Sequence, residues 1–179
     1  MLLVLEGIDA SGKSTLTAKL EKSGYQIYAT PPREFRETRK KIDKFSSPGE
    51  QYDFYTRGVK KASDDLRFLL RRHKHVIVDR YWITTLVYHA LKNVKVDPCD
   101  FDQILKPDFT LLLTVSYEEQ QRRLKERGMS INDEEMHGRY HELLDTYKLF
   151  FYQLKENHEI IDTTNIEPSL LLKKVSKLL

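Results

Sequence analysis

The sequence has little that would cross-link its segments or anchor it in a membrane. Among 179 residues there is a single cysteine, Cys99, which excludes a disulfide framework and favours a reducing compartment. No apolar run approaches the roughly 20 residues that a transmembrane helix needs. The chain opens on a predicted core strand from residue 2 rather than on a cleavable signal. We therefore expect no membrane partner and a cytoplasmic protein, or a mature form whose targeting segment is absent.

A strong excess of charge of one sign is also missing. Lys and Arg number 30 and Asp and Glu number 27, which gives a formal net charge of +3. This balance is too small and too mixed to indicate a nucleic-acid partner. The chain has no internal repeat or low-complexity tract, and its length and 40% hydrophobic content are typical of one globular domain. We predict that this domain spans residues 1–179.

The most informative stretch is GIDASGKST at residues 7–15, which follows an apolar run and precedes a helical pattern. The spacing G-x-x-x-x-G-K-[ST] between a strand and a helix is typical of a phosphate-binding loop. Its glycines let backbone N–H groups face one concavity at a helix N-terminus, which favours anions. An ordinary turn is the alternative, and the flanking strand and helix argue against it. The residues predicted to bind the nucleotide are Gly7, Asp9, Ala10, Ser11, Gly12, Lys13, Ser14 and Thr15.

Two side chains of this loop have specific predicted roles. Lys13 would place its ammonium group on the β- and γ-phosphates of ATP or GTP, and the Ser14 hydroxyl would ligate Mg²⁺. The motif identifies the phosphate donor and leaves the group that receives the phosphate open.

Four further apolar runs alternate with helical patterns, at residues 25–29, 75–78, 109–115 and 159–161. Near-continuous apolar strands separated by helices predict a parallel sheet covered on both faces. The predicted fold class is therefore α/β, a three-layer P-loop NTPase fold with a five-stranded parallel sheet. Helices are predicted at residues 14–22, 34–45, 50–73, 79–92, 118–127, 134–156 and 169–178, with a short one from residue 97.

Ligands of such sheets gather beyond the carboxyl ends of the strands, and Asp79 and Arg80 directly follow the third predicted strand. A carboxylate is needed there near the metal, since Mg²⁺ prefers oxygen ligands and keeps several waters. Arg80 would bring a planar guanidinium to a phosphate or to the acceptor. Alternatively, Asp79 only caps the next helix and Arg80 is a solvated ion-pair partner. The phosphate-binding loop upstream favours the functional interpretation.

A GIDASGKST loop followed by a strand that ends in Asp79-Arg80-Tyr81 resembles the thymidylate kinase family of nucleoside monophosphate kinases. A later strand after Pro107-Asp108 and the pattern Arg123-x-x-x-Arg127 complete a similarity that covers essentially the whole chain. Within the family, the segments TPP (residues 30–32), FYT (54–56) and VDRYW (78–82) resemble the kinase domain of mitochondrial UMP-CMP kinase. The resemblance implies transfer of the ATP γ-phosphoryl group to a pyrimidine nucleoside monophosphate, with Mg²⁺.

The resemblance also implies roles for single residues on the acceptor side. Asp9 matches the acid that approaches the sugar hydroxyl, and Arg80 matches the arginine on the acceptor phosphate. Phe54 matches the aromatic ring that stacks on the base, although it also fits the apolar face of a helix. Thr84 and Tyr88 fall on the helix that lines the base pocket.

Arg123 and Arg127 begin the segment that resembles the mobile lid of the family, at about residues 127–135. Their spacing places them on one helix face, where they would stabilise charge on the transferring group and help to exclude water. Ala10 stands where some relatives place a catalytic arginine, so we expect this charge to come from the lid. A charged, solvent-facing helix is the alternative, and we favour it for Arg122.

Two features depart from the family pattern. The Arg-Glu-Pro that usually follows the second strand is replaced by TPPR at residues 30–33, and Gly58 stands where an acceptor-side arginine is usual. Arg33, Arg36 or Arg39 could supply a replacement, and we predict Arg39 as a substrate-binding residue. The identity of the acceptor therefore stays open.

The resulting prediction is a P-loop kinase that phosphorylates a pyrimidine monophosphate, with nucleotides as its small-molecule partners. Two alternatives remain. A deoxynucleoside kinase would use Glu6 as the base that takes a proton from a hydroxyl, and an ATP-binding regulatory module would bind without turnover. Relatives are often dimers through the helices after strands two and three, so a homodimer is also considered. The predicted catalytic residues are Lys13, Asp79, Arg80, Arg123 and Arg127, with Ser14 and Asp79 at the metal.

Overall fold

The computed structural model describes residues 1–129, 136 and 138–179. Five parallel strands form one sheet in the order β2-β3-β1-β4-β5. The strands are β1 (Leu2–Gly7), β2 (Gln26–Ala29), β3 (Val76–Asp79), β4 (Phe109–Thr114) and β5 (Asn157–Asp162). The described α-helices are α1 (Lys13–Lys22), α2 (Arg36–Phe45), α3 (Pro48–Leu69), α4 (Trp82–Leu91), α5 (Tyr117–Arg127), α6 (Tyr140–Phe151) and α7 (Pro168–Ser176). The predicted α/β class with a five-stranded parallel sheet is confirmed.

The central strand β1 is buried at every residue. Leu2 and Val4 belong to a core cluster with side chains of α3, α4 and α6, whereas Leu3 and Leu5 pack with α1 and α7. Successive side chains of a strand point to opposite faces, so one apolar run supplies both cores. Each fully buried leucine contributes about 1.5–3 kcal/mol. Helices therefore cover both faces of the sheet, as the predicted three-layer fold requires.

The sheet places two strand ends side by side. β1 pairs with β3 in a register that sets Leu5 opposite Asp79. The helix after β1 packs on one face of the sheet, and the helix after β3 packs on the other. Neighbouring strands whose connections leave toward opposite faces open a crevice at their carboxyl ends, which is where such sheets bind ligands.

Several element boundaries differ from those predicted. α3 begins at Pro48 rather than at residue 50, because Ser47 and Glu50 form a capping box in which Glu50 N donates to Ser47 Oγ at 3.4 Å. It ends at Leu69 rather than at residue 73, because tight turns follow in which Arg72 N donates to Leu69 O at 2.9 Å. The helix predicted at 134–156 is α6, and residues 134, 135 and 137 lie outside the described residues.

None of the helices in the described part of the chain is both long and apolar enough to cross a membrane.

Candidate active site

The loop that follows β1 curls through left-handed backbone at Ala10 (φ +62°) and Gly12 (φ +92°). This conformation is uncommon for alanine, so the surroundings must hold it. Arg123 Nη1 donates to Ala10 O at 3.1 Å, and the Thr163 hydroxyl lies 3.0 Å from Ser11 O. The loop is therefore fixed by side chains from α5 and from the end of β5. Its last residues begin α1, whose first N–H groups have no acceptor within the helix.

Lys13 lies beneath this loop with only 5% of its surface exposed. Its ammonium group donates to Gly7 O and Ile8 O, both at 2.7 Å. Burial, together with the nearby Arg80 guanidinium, lowers the pKa of Lys13 to about 7. A positive charge is costly in this position, so an anion bound against the loop would stabilise it.

The loop forms one wall of a cavity of about 900 Å³. Side chains of α5 and the segment that follows β5 form the other walls. The lining residues include Asp9, Ala10, Gly12, Lys13, Ser14, Thr15, Asp79, Arg80, Arg123, Arg127, Thr163, Asn165 and Pro168. A cavity of this size falls within the range of ligand pockets, and its phosphate-binding loop suits a nucleoside triphosphate.

The residues predicted to hold Mg²⁺ face the same cavity. Ser14 is exposed in it, and Asp79 Oδ1 is buried without a hydrogen-bond partner among the described residues. A buried carboxylate oxygen of this kind calls for a ligand. No group of three or more His, Cys, Asp or Glu side chains that could hold a metal occurs in the described part of the chain. Mg²⁺ needs only one or two such ligands when phosphates and waters supply the rest, so the two side chains fit this ion.

A second cavity of about 310 Å³ adjoins the first. Asp9, Asp79 and Arg80 line both cavities, so the two meet at the ends of β1 and β3. The other lining residues of the smaller cavity are Ala29, Thr30, Pro31, Arg39, Asp43, Tyr55, Tyr81, Thr84, Thr85, Tyr88, His89 and Lys92. We call it the acceptor cavity, after the role proposed for it below.

Arg80 and Asp9 form an ion pair at the junction of the cavities. Arg80 Nη2 lies 2.5 Å from Asp9 Oδ1, and the Tyr88 hydroxyl donates to Asp9 Oδ2 at 2.6 Å. Burial would raise the pKa of Asp9, but Arg80 and Lys13 outweigh it and hold this pKa below its usual value. The backbone of Arg80 is left-handed, with φ +65°, a strained state that occurs often at functional sites.

The sequence profile of the thymidylate kinase family matches residues 5–170 of the chain. The chain belongs to the thymidylate kinase family. A probable thymidylate kinase from Archaeoglobus fulgidus is 27% identical over 146 residues, which cover 72% of this chain and 71% of the relative. As a member of this family, the chain is a nucleoside monophosphate kinase.

Solved structures agree on the fold. A thymidylate kinase from Candida albicans superposes with a TM-score of 0.75 at 19% identity, over 99% of this chain and 89% of the other. A deoxyadenosine kinase from M. mycoides superposes with a TM-score of 0.69 at 21% identity, over 99% and 98%. Kinases named for different acceptors thus share this fold, so the acceptor has to be inferred from the site itself.

The side of the acceptor cavity formed by α2 and α3 in this thymidylate kinase family member differs from the predicted arrangement. Phe54 is 4% exposed, packs 5.2 Å from the Phe35 ring and lines neither cavity. Tyr55 lines the acceptor cavity instead, and its hydroxyl donates to Asp43 Oδ1 at 2.7 Å. Arg39 lines it too and donates to Asp43 Oδ2 at 3.1 Å. The structure thus brings Arg39 to the acceptor cavity and leaves Phe54 in the core.

The two predicted lid arginines have different surroundings. Arg123 donates to Ala10 O at 3.1 Å, to Thr163 O at 2.9 Å and to Glu119 at 2.8 Å. Arg127 is exposed at the end of α5 and lines the larger cavity. Of the lid predicted at about residues 127–135, residues 130–135 lie outside the described residues.

Some residues at the site carried no recognisable signal in the sequence. Gln120 is buried and donates to Asp9 O at 3.1 Å, and the Tyr147 hydroxyl lies 3.1 Å from Arg80 Nη1. Both read as ordinary positions of amphipathic helices, and only the packing of those helices reveals the contacts. Thr163 differs from these two residues, because it directly follows β5 and its position at the carboxyl edge of the sheet was a signal available in the sequence.

Proposed function

We propose that this chain transfers the γ-phosphoryl group of ATP to the phosphate of a pyrimidine nucleoside monophosphate, dTMP or a related UMP- or CMP-type acceptor. The observation that carries the proposal is the pair of adjoining cavities that share Asp9, Asp79 and Arg80. The larger contains the phosphate-binding loop, and the smaller offers Arg80 to a second anionic substrate. Direct transfer requires two phosphates to meet, and the junction is where they would do so.

In this proposal the chain acts by positioning and by electrostatics, which dominate phosphoryl transfer. Lys13 and the loop N–H groups hold the donor phosphates. Contacts with Gly7 O, Tyr147 and Asp9 use part of the Arg80 guanidinium, and its remaining donors are available for the acceptor phosphate. Arg127 would add positive charge over the transferring group.

Ser14 and Asp79 would hold Mg²⁺, which when bound to the phosphates offsets their negative charge. Arg123 contributes to this region chiefly by holding the Ala10 carbonyl, and hence the loop, in place.

The surroundings of Glu6 argue against a nucleoside kinase. That reaction needs a base that reaches a substrate hydroxyl. Glu6 is 0% exposed, lines neither cavity and accepts from Tyr81 N at 3.0 Å and from the Thr84 hydroxyl. An acceptor that already carries a phosphate needs no strong base, which agrees with this arrangement.

The three segments predicted to resemble mitochondrial UMP-CMP kinase contribute residues to the acceptor cavity. From TPP, FYT and VDRYW, the residues that line the acceptor cavity are Thr30, Pro31, Tyr55, Asp79, Arg80 and Tyr81. This placement supports including UMP and CMP beside dTMP among the proposed acceptors.

The proposal is tested by measuring ADP formation from Mg-ATP with dTMP, dUMP, UMP, CMP, dCMP, AMP, GMP and the corresponding nucleosides. We expect turnover with a pyrimidine monophosphate. Turnover with nucleosides alone would overturn the proposal in favour of a nucleoside kinase. No turnover, with ATP still bound, would favour a regulatory module.

We expect Arg39→Met to raise the KM for the acceptor. Losing a charged hydrogen bond costs about 1.5–3 kcal/mol, which corresponds to a roughly 10- to 100-fold higher KM for the acceptor. The KM for ATP should stay unchanged. Arg36→Met is the matched control, since Arg36 lies on the same helix, is exposed and lines neither cavity. Equal acceptor KM values for the two variants would remove Arg39 from the acceptor site.

We expect Asp79→Asn to weaken the response to Mg²⁺. The neutral amide keeps the shape of the side chain but removes the charge, so the Mg²⁺ concentration for half-maximal activity should rise about 10- to 100-fold. Binding of Mn²⁺ to the enzyme–ATP complex gives a readout independent of turnover. Asp64→Asn, at an exposed position of α3, controls for the loss of one negative charge. An unchanged metal requirement in Asp79→Asn would place the metal elsewhere.

A further inference from the structure

A series of buried polar side chains lies behind Arg80. Arg80 Nη1 donates to the Tyr147 hydroxyl at 3.1 Å, and this hydroxyl lies 2.8 Å from Thr84 Oγ1. The Thr84 hydroxyl donates to the Glu6 carboxylate. Both Tyr147 and Glu6 are 0% exposed. These four side chains come from β1, α4, α6 and the turn after β3, so tertiary packing alone brings them together.

The direction of these hydrogen bonds follows from the donors that are available. The guanidinium can only donate, and each hydroxyl carries a single hydrogen. The Thr84 hydrogen goes to Glu6, so Tyr147 donates to Thr84 and its oxygen is left to accept from Arg80. Arg80 Nη1 also donates to Thr84 Oγ1 at 3.4 Å, so Arg80 is linked to Glu6 through Thr84 both directly and by way of Tyr147. Networks of this kind strengthen their individual bonds.

Glu6 also holds the backbone next to Arg80. Its second carboxylate oxygen accepts from Tyr81 N at 3.0 Å. On either side of the strained Arg80 backbone, Arg80 N donates to Leu5 O at 2.9 Å and Thr30 Oγ1 donates to Arg80 O at 3.0 Å. One buried carboxyl group therefore restrains Arg80 through its side chain and through its main chain.

We propose that Glu6, Thr84 and Tyr147 are positioning residues that hold the inner edge of the Arg80 guanidinium and so direct its outer edge to the junction of the two cavities. Fixing the group in advance removes an ordering cost that the substrate would otherwise bear. The inference rests on the proposed function, in which Arg80 binds the acceptor phosphate. Thr84, which the sequence predicted as a substrate contact, would then act by positioning Arg80.

The first test is Tyr147→Phe, which removes only the hydroxyl. We expect kcat/KM for the acceptor to fall about 10-fold or more, since small displacements of a reacting group cost up to about 100-fold, with the KM for ATP within about twofold. Tyr140→Phe is the matched control, because Tyr140 is also buried on α6 and its hydroxyl donates to Val115 O at 2.6 Å. This control should lose comparable stability and keep its kinetics.

Thr84 offers a second, graded pair of variants. Thr84→Val removes the hydroxyl at nearly constant shape and should reproduce the Tyr147→Phe defect. Thr84→Ser keeps the hydroxyl and should restore most of the activity. In an Arg80→Met background, Tyr147→Phe should cause no further loss in acceptor kcat/KM, because its effect passes through Arg80.

Nitrogen-15 NMR of the Arg80 guanidinium supplies a readout that needs no turnover. We expect separate Nη–H signals in the wild type, because rotation of the held group is restricted. In Tyr147→Phe we expect faster exchange between these signals, although Gly7 O and Asp9 still accept from the guanidinium. An exchange rate in Tyr147→Phe equal to that of the wild type, or kinetics equal to those of Tyr140→Phe, would overturn the inference. A wild type without turnover on any monophosphate would refute the proposed function, while the NMR comparison would still decide on the positioning of Arg80.

Discussion

Replacing Lys13 by methionine is expected to lower kcat by about 10²–10³-fold, the usual cost of losing one donor to a developing negative charge in a closed site. Methionine keeps the length and apolar character of the buried stem. The substitution removes a charge that burial disfavours, as the lowered pKa indicates, but it also removes the hydrogen bonds to Gly7 O and Ile8 O. The free energy of unfolding should therefore fall by about 1–3 kcal/mol, which leaves the protein folded. Activity would thus be lost from a folded protein, as initial-rate measurements and urea unfolding together would show.

The control for this experiment is Lys22→Met, at an exposed position in the last turn of the same helix. It changes the net charge of the chain equally and should leave kcat unaltered. Turnover in Lys13→Met within a few-fold of the wild type would mean that the donor phosphates do not lie against the loop after β1.

Gly7→Ala is expected to cause the largest loss of stability among these variants. Gly7 has φ +141°, and a Cβ atom built there would lie 2.2 Å from the backbone oxygen of Leu113 on the paired strand β4. Backbone strain of this kind costs about 1–3 kcal/mol, and forcing an extra carbon into a packed core costs about 1–3 kcal/mol more. The sum is a large fraction of the about 5–15 kcal/mol that stabilises a typical domain.

Urea unfolding followed by circular dichroism measures this effect. Gly49→Ala serves as the control, since Gly49 lies in the first turn of α3 and its added Cβ meets no atom within 4 Å. It should leave the protein as stable or make it more stable by up to about 1 kcal/mol. Similar unfolding midpoints for Gly7→Ala and the wild type would show that the β1–β4 ladder can move apart at this point.

Features encoded by neighbouring residues could be predicted. The phosphate-binding loop is contiguous in the sequence. The five strands are short apolar runs, and candidate functional residues directly follow their ends. Asp79 and Arg80 were therefore predicted from position alone. The structure adds that Asp79 is the last residue of β3 and that the backbone of Arg80, the next residue, is left-handed.

Features that depend on the rotation of a helix about its axis could not be predicted in this way. Phe54 and Tyr55 are adjacent, and either could face the acceptor until the packing of Phe54 against Phe35 is known. Tyr147 is 67 residues from Arg80 along the chain, and no motif connects them. Contacts between elements of this kind are set by side-chain packing, which a single sequence does not specify.

The pairing of β1 with β3 has a consequence for how the acceptor preference can change. The donor loop leaves β1 and Arg80 leaves β3, and neighbouring strands lie about 4.8 Å apart because their backbones are hydrogen-bonded. The separation of the two strand ends that carry the loop and Arg80 is thus a property of the main chain. The walls of the acceptor cavity away from the junction of the two cavities include residues of α2, α3 and α4. Substitutions on α2 and α3 can therefore alter which nucleotide is chosen while the spacing of these strand ends stays constant.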